Sequence, residues 1–381
     1  MRITLILIIF TLVFILNTIF IKSKNFNRPL FITGTMRSGS SMTGNIIYNS
    51  GIDLFGNFKP LPFSSFNKKE HNLDGYFCLE KVNHLDSKLF RSLGIDWKGN
   101  FSNIQTVPKW YLNEIKNITD KMKKPSYVIH LAANVGGLYK NMNNKVKILE
   151  DNLLINFNVV KCCHDYNVKK LVAYLSTCIY PNGINYPINE NQLHLGPPHF
   201  SNEGYSYAKR MLEIHTRKYR EEFNDNFICI IPTNIYGEYD NFNLKDSHVI
   251  PGLIHKCYLA DKNNTDFTIY GDGSPLRQFV YSKDIAELTM KILFNDNIKD
   301  NIIISPDEEV SIKEVAEKIC KIFNFKNKIK FDTTYHNGQH KKTVSNNYLK
   351  QYYPDYKFTK LENGLDLTIK WFKENYNSIR N

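Results

Sequence analysis

No zinc-like pairing and no disulfide framework can be drawn through the seven cysteines, Cys78, Cys162, Cys163, Cys178, Cys229, Cys257 and Cys320. Their odd number and scatter suit a reducing compartment, and no metal site is expected. No basic run interleaved with aromatic residues occurs, which removes the argument for a nucleic-acid partner. The net charge of +12 suits anionic small molecules or a membrane surface. Most lysines read as a solvated face. The GxGxxG fingerprint of a dinucleotide fold is also missing, because Gly34, Gly39 and Gly44 fall five apart. Ser40 stands where a triphosphate-binding loop would carry its lysine, so that class is excluded too.

With 381 residues the chain has room for two domains and a substantial core. Residues 3–21 carry no charge and are long enough to cross a bilayer as a helix. Lys22, Ser23, Lys24 and Asn25 follow, instead of the small residues of a cleavage site, so an uncleaved single-pass anchor over residues 1–24 is expected. Lys22, Lys24 and Arg28 outnumber Arg2 on the opposite flank, a bias towards a cytoplasmic catalytic region. Sequons at Asn100, Asn117 and Asn263 arise by chance in so asparagine-rich a chain and do not argue for secretion.

The stretch Leu171–Arg210 carries the chemistry. LVAYLSTCIYP reads as a buried strand with Ser176, Thr177 and Cys178 at its carboxyl end, where ligands bind in an open α/β sheet. GYSYAKRM opens a helix on which Tyr205 and Lys209, four apart, project from one face. A phenol, an ammonium and the Ser176 hydroxyl can then converge on one carbonyl oxygen. A ketone accepting hydride also needs a proton; Tyr205 would give it, with the Lys209 charge favouring its phenolate. Alone, such a spacing also fits a solvated helix face in a chain with 23 tyrosines. Around it, strand Tyr127–Leu131, helix Val146–Asp165 with an apolar stripe of Ile148, Leu153, Val159 and Val160, helix Tyr205–Phe223 and strand Phe227–Ile231 alternate. That alternation predicts a parallel sheet.

Those residues carry a resemblance. From Tyr127 to Trp371 the chain is similar to the GDP-L-fucose synthase branch of the extended short-chain dehydrogenase/reductase, or NAD-dependent epimerase/dehydratase, family. The matching blocks are IHLAANVGG, LSTCIYP, GPPHFSNEGYSYAKRM, IPTNIYGEYDNFN, SHVIPGLIHK, YGDGSPLRQFVYS and NGQHKKT. The resemblance implies NADP(H) as cofactor, GDP-4-keto-6-deoxy-mannose as substrate, a homodimer, and two stages: inversion of the carbons flanking the keto group, then its reduction. It implies Cys178 as base and His248 as acid for inversion, a pair suited to trading protons near neutral pH. Read by residue type alone, each is more often a buried structural group than a catalytic one. Ala132, Lys209, His248 and the tetrad Pro232, Thr233, Asn234 and Ile235 would meet the cofactor. Lys256, Tyr270, Arg277 and Asn337 would meet the GDP-sugar, the cations through charge-assisted hydrogen bonds. Tyr270 replaces the family's tryptophan and can stack on a base, whereas Asn337 replaces an acidic residue and weakens the case for guanine.

Ahead of residue 125 the text differs. PLFITG followed by GTMRSGSSMTGNII is a strand, a glycine- and serine-rich turn and a helix start, a layout that aims backbone N–H groups at a phosphate. It resembles the phosphosulfate-binding loop of carbohydrate-type sulfotransferases, which implies that Arg37, Ser38, Gly39, Ser40 and Ser41 hold a 5′ phosphate. Leu30–Thr33 is also placed to fill the sheet's first-strand slot, its loop from Gly34 onwards then meeting the cofactor diphosphate. The expected fold is thus α/β: a Rossmann-like parallel sheet with its first strands replaced by a P-loop-like segment over 25–124, and an epimerase/reductase region over 125–381. The substrate-binding part lies mainly in 236–381. Two other readings stay open: a GDP-sugar-binding protein without turnover, and a sulfotransferase.

Overall fold

In the computed structural model, residues 18–21, 30–33, 126–136, 138–335, 337 and 339–379 are described. The candidate loop Gly34, Arg37, Ser38, Gly39, Ser40 and Ser41 lies outside them, as do residues 3–17 of the expected anchor.

A six-stranded sheet in the order β1-β2-β3-β4-β5-β10 forms the centre. Its strands are β1 (Thr18–Ile21), β2 (Leu30–Thr33), β3 (Tyr127–His130), β4 (Lys170–Tyr174), β5 (Phe227–Pro232) and β10 (Ile302–Ile304). All neighbours are parallel except β1, which runs antiparallel to β2 at the edge. Two expectations meet the structure here. Leu30–Thr33 does pair with β3, Leu30 opposite Tyr127 and Thr33 opposite His130, in the first-strand slot. The helix expected through residue 21 is corrected: Thr18, Ile19, Phe20 and Ile21 are β-branched or aromatic, and they form a strand against Thr33–Leu30. Among the described residues no helix is long and apolar enough to cross a membrane.

Helices α1 (Leu138–Asn143) and α2 (Lys145–Asp165) join β3 to β4, and α3 (Glu203–Phe223) joins β4 to β5. The strands β4, β5 and β10 are buried throughout, as parallel strands covered on both faces must be. Alternate residues feed two cores. Val172 and Tyr174 pack towards one, while Leu171 and Ala173 face the other, with Val160 and Cys163 of α2 and Leu212 of α3.

Beyond β5 lie β6 (Asn234–Tyr236), α4 (Val249–Lys262), β7 (Phe267–Tyr270), β8 (Leu276–Arg277), β9 (Phe279–Tyr281) and α5 (Ser282–Leu293). After β10 come β11 (Val310–Ser311), α6 (Ile312–Phe323), β12 (Ile329–Asp332), α7 (Asn347–Tyr352) and α8 (Leu361–Asn375). α5 covers the Val172 face of the sheet. A separate core of Ile250, Ile254, Phe267, Val315, Ile319, Leu365 and Phe372 gathers α4, α6 and α8. Gly364 is required there, since a Cβ would lie 2.1 Å from the Tyr236 hydroxyl. The cleft between this core and the carboxyl edge of the sheet is the molecule's candidate site.

Candidate active site

A cavity of about 410 Å³ opens at that edge. Leu131 and Ala133 after β3, Leu175–Cys178 after β4, and Pro232–Ile235 from the end of β5 into β6 line it. Opposite stand His248, Val249 and Ile250 at the start of α4, with Arg277, Phe279, Asn337 and Lys342. A ligand held between strand ends and a second core is the arrangement expected of open α/β sheets.

Three consecutive contacts fix the α3 side of the cavity. The Ser206 hydroxyl donates to the Cys178 carbonyl at 3.1 Å, Lys209 Nζ to the Tyr174 carbonyl at 2.8 Å, and Arg210 Nε to the Ile179 carbonyl at 2.7 Å. One helix face therefore grips the whole turn that carries Ser176 and Cys178. Within that turn Ser176 is the N-cap of the short helix Thr177–Ile179, its hydroxyl accepting from the Cys178 amide at 3.4 Å.

Ser176, Cys178, Tyr205, Lys209 and His248 all line the one cavity. Burial pushes the Tyr205 phenol above its ordinary range, with the Cys178 sulfur adding to the shift. Burial brings Lys209 down to about 8, with the Cys229 and Cys178 sulfurs opposing it. The expectation that the lysine charge would favour the phenolate is not met here. Lys209 Nζ lies 6.0 Å from the Tyr205 ring centre and is turned to the Tyr174 carbonyl, so desolvation decides and Tyr205 stays protonated. His248 is exposed, at the N-cap of α4.

Pro232, Thr233, Asn234 and Ile235 also line the cavity. The Thr233 hydroxyl is buried without a partner among the described residues, a feature that a bound polar group would satisfy. Ala132, expected at the cofactor, is instead fully buried and does not line this cavity, its neighbours Leu131 and Ala133 facing it. An unpartnered hydroxyl among these strand-end residues suits the polar groups of a dinucleotide.

The four expected GDP-sugar residues divide. Arg277 and Asn337 line the cavity, whereas Lys256 and Tyr270 do not. Arg277 donates to the carbonyls of Leu276 at 2.7 Å and Gln339 at 2.6 Å, and burial lowers it to about 10. Asn337 Oδ1 accepts from the Asp272 amide at 2.9 Å. Tyr270 has no free face: Lys256 Nζ lies 3.1 Å from its ring centre and Tyr335 stacks at 3.8 Å, distances that two groups on one face cannot share. A base reaching Tyr270 must displace one of them. Burial lowers Lys256 to about 8, Asp332 opposing it.

Several cavity residues were not singled out from the sequence. Lys342, His199 and Asn202 lie inside the quoted motif blocks NGQHKKT and GPPHFSN yet had no distinguishing spacing. Behind the site, Asn152 exchanges hydrogen bonds with Asn134, Oδ1 accepting from its amide at 2.9 Å and Nδ2 donating to its carbonyl at 3.0 Å. Asn156 Nδ2 donates to the Ala208 carbonyl at 3.2 Å and its Oδ1 accepts from His130 Nε2 at 3.0 Å. Burial lowers His130 to about 3, the Lys209 charge adding to the effect, so it is a neutral donor.

A parallel sheet with its cleft at the carboxyl edge and a second core across that cleft is the architecture of a dinucleotide-dependent α/β enzyme. The profile of the NAD dependent epimerase/dehydratase family matches residues 84–305, more than half of the chain, and the chain belongs to that family. It is 51% identical over 259 residues to a GDP-L-fucose synthase of Dictyostelium discoideum, covering 68% of this chain and 81% of that protein. It is 47% identical over 267 residues to a probable GDP-L-fucose synthase of Drosophila melanogaster, covering 68% and 83%. The crystal structure of a GDP-L-fucose synthetase from Naegleria fowleri bound to NADP is similar, with a TM-score of 0.64 and 43% identity, over 71% of this chain and 83% of that one.

Proposed function

We propose that this protein is an NADP(H)-dependent epimerase/reductase that converts GDP-4-keto-6-deoxy-mannose into GDP-L-fucose. One observation carries the reading: a single cavity is lined at once by the reduction set Ser176, Tyr205 and Lys209 and by the proton-exchange pair Cys178 and His248. The GDP-L-fucose synthase relatives and the NADP-bound neighbour supply the substrate and cofactor classes.

Lys209, Thr233 and the neighbouring tetrad residues would hold NADPH, which when bound would supply the hydride for the keto carbon. Cys178 Sγ takes the proton from a carbon beside the ketone, which is acidic because the carbonyl delocalises the resulting charge. His248 returns a proton on the opposite face, inverting the centre. Ser176 and Tyr205 hydrogen-bond the keto oxygen throughout, stabilising the charge that gathers there. Tyr205, kept protonated by burial, then gives its proton to that oxygen as reduction occurs. Arg277 and Asn337 orient the GDP-sugar from the opposite wall.

Proton exchange in deuterated water tests the first stage. The wild-type chain incorporates deuterium at both flanking carbons, and Cys178→Ser loses that exchange while retaining GDP-sugar binding. Undiminished exchange in Cys178→Ser would remove Cys178 from the mechanism.

Two further parts of the proposal concern assembly. A homodimer forms through α2 and α3, supported by a shared exposed face where Phe157 stacks on His215 at 5.1 Å beside exposed Val146, Leu154, Tyr207 and Met211. Light scattering of the wild type and of Phe157→Glu checks this, the variant being expected as a monomer. Membrane attachment through the part of the uncharged run that precedes β1, residues 3–17, with the catalytic region in the cytoplasm, is supported by that segment's lack of charge and by Lys22, Lys24 and Arg28 on its carboxyl side. Flotation with lipid vesicles tests that attachment.

A further inference from the structure

We propose that His199 is a substrate-binding residue whose Nε2–H, together with Asn202 Oδ1, recognises the hydroxyl on the carbon beside the ketone. The inference rests on the epimerase/reductase reading of the cavity and deepens it.

Both residues line the cavity and lie on one turn, the Asn202 amide donating to the His199 carbonyl at 3.2 Å. That turn is tied to the reacting end of the site. Asn202 Nδ2 donates to the Cys178 carbonyl at 3.4 Å, and helix α3, which carries Tyr205, begins at the next residue, Glu203. On the epimerase/reductase reading, the part of a GDP-sugar that reaches Cys178 and Tyr205 is the hexose.

The proton of His199 is placed by its neighbours. Nδ1 lies 3.3 Å from the Ser201 amide and 2.8 Å from the Ser201 hydroxyl. A backbone N–H can only donate, so Nδ1 accepts and the ring proton sits on Nε2. Burial and the Lys342 charge both lower the affinity of the ring for a second proton, in the same sense. The Phe200 ring, 4.5 Å away and tilted by 32°, packs against the imidazole. With Nδ1 turned back to its own turn, Nε2 makes no hydrogen bond among the described residues. His199 thus offers the cavity a neutral, oriented donor.

Asn202 supplies the complement. A carbonyl oxygen only accepts, so the contact with Cys178 fixes which end of the carboxamide faces it. Oδ1, at the other end, is buried and has no hydrogen-bond partner among the described residues, a condition that a bound donor relieves. A hydroxyl both accepts and donates and can satisfy the two atoms, whereas a phosphate oxygen can only accept. Of the two carbons flanking the ketone in GDP-4-keto-6-deoxy-mannose, one carries a hydroxyl and the other a methyl group. The pair therefore distinguishes the two flanks and holds the hexose in one orientation beside Cys178.

The test is calorimetric binding of three ligands to the full chain: GDP-4-keto-6-deoxy-mannose, its analogue with hydrogen in place of that hydroxyl, and GDP alone. His199→Asn keeps an acceptor oxygen for the Ser201 amide and removes the donor at Nε2. It is expected to raise the Kd of the keto sugar by roughly five- to tenfold and to leave the other two Kd values as in the wild type. His199→Gln, whose amide reaches the Nε2 position, is expected to bind all three as the wild type does. Asn202→Ala carries the same expectation as His199→Asn and replaces it if that variant does not fold, since Ser206 still bonds the Cys178 carbonyl. An unchanged Kd for the keto sugar overturns the proposal. So does an equal loss for the analogue or for GDP, which would move the contact to another oxygen of the ligand. A wild type that binds neither GDP-sugar nor GDP would instead refute the epimerase/reductase reading itself.

Discussion

Replacing Asn156 by leucine keeps the bulk of the side chain and removes its amide. Asn156 is 3% exposed and its two partners are buried with it. The substitution removes the bonds from His130 Nε2 at 3.0 Å and to the Ala208 carbonyl at 3.2 Å. Ala208 lies inside α3, so its carbonyl keeps its helical backbone partner, and the cost is that of two lost buried hydrogen bonds, about 0.5–1.5 kcal/mol each. The added apolar burial offsets part of this, so a net loss of about 1 kcal/mol is expected. Urea unfolding of the full chain measures it. Because Ala208 adjoins Lys209, reduction should also slow by roughly tenfold or more through misplacement of that ammonium. Unchanged stability together with unchanged turnover would refute the reasoning.

Tyr205→Phe removes the proton donor and should lower NADPH-dependent reduction by roughly 10² to 10⁴-fold. It should slow deuterium exchange beside the ketone far less, because Ser176 still bonds the keto oxygen, and an equal loss of both stages would argue against a separate proton-donor role. Because burial lowers Lys209 to about 8, its ammonium is charged below that pH and neutral above it. The rate of reduction should therefore be level through neutrality and fall above about 8, whereas a kcat still rising through pH 9 would contradict the assignment. Gly271 has φ +84, and a Cβ there would lie 2.2 Å from Asn337 Oδ1. Gly271→Ala should displace Asn337 and raise the KM for the GDP-sugar more than it lowers kcat, which steady-state kinetics would resolve.

Where chemistry follows backbone periodicity, the sequence is readable. β-branched runs ending in small polar residues mark strands whose carboxyl ends meet a ligand, and the Tyr205–Lys209 spacing puts both side chains on one helix face. Helix α2 shows where such reading stops. Its buried face runs through Ile148, Asn152, Ile155, Asn156, Val160 and Cys163, and an apolar-stripe argument passes over the two asparagines. They are buried because each satisfies backbone groups from distant segments, information absent from local pattern. Tyr205 gives a second lesson: four-residue spacing predicts proximity to a cation, but the direction of its shift depends on desolvation, which needs the enclosed cavity. Lys341 and Lys342 are adjacent in sequence, and only the fold turns one to the Glu309 carboxylate and sets the other in the wall of the cavity.

The central claim is that a chain whose first-strand slot is filled by Leu30–Thr33 carries out hydride transfer in the cavity at the carboxyl edge of its sheet. The most direct measurement adds GDP-4-keto-6-deoxy-mannose to the full chain with NADPH, follows cofactor oxidation and identifies the sugar nucleotide formed. The account predicts one NADPH consumed for each GDP-L-fucose produced. Binding of the keto sugar with no NADPH oxidation would contradict it and identify the chain as a GDP-sugar-binding protein that has lost its reductant.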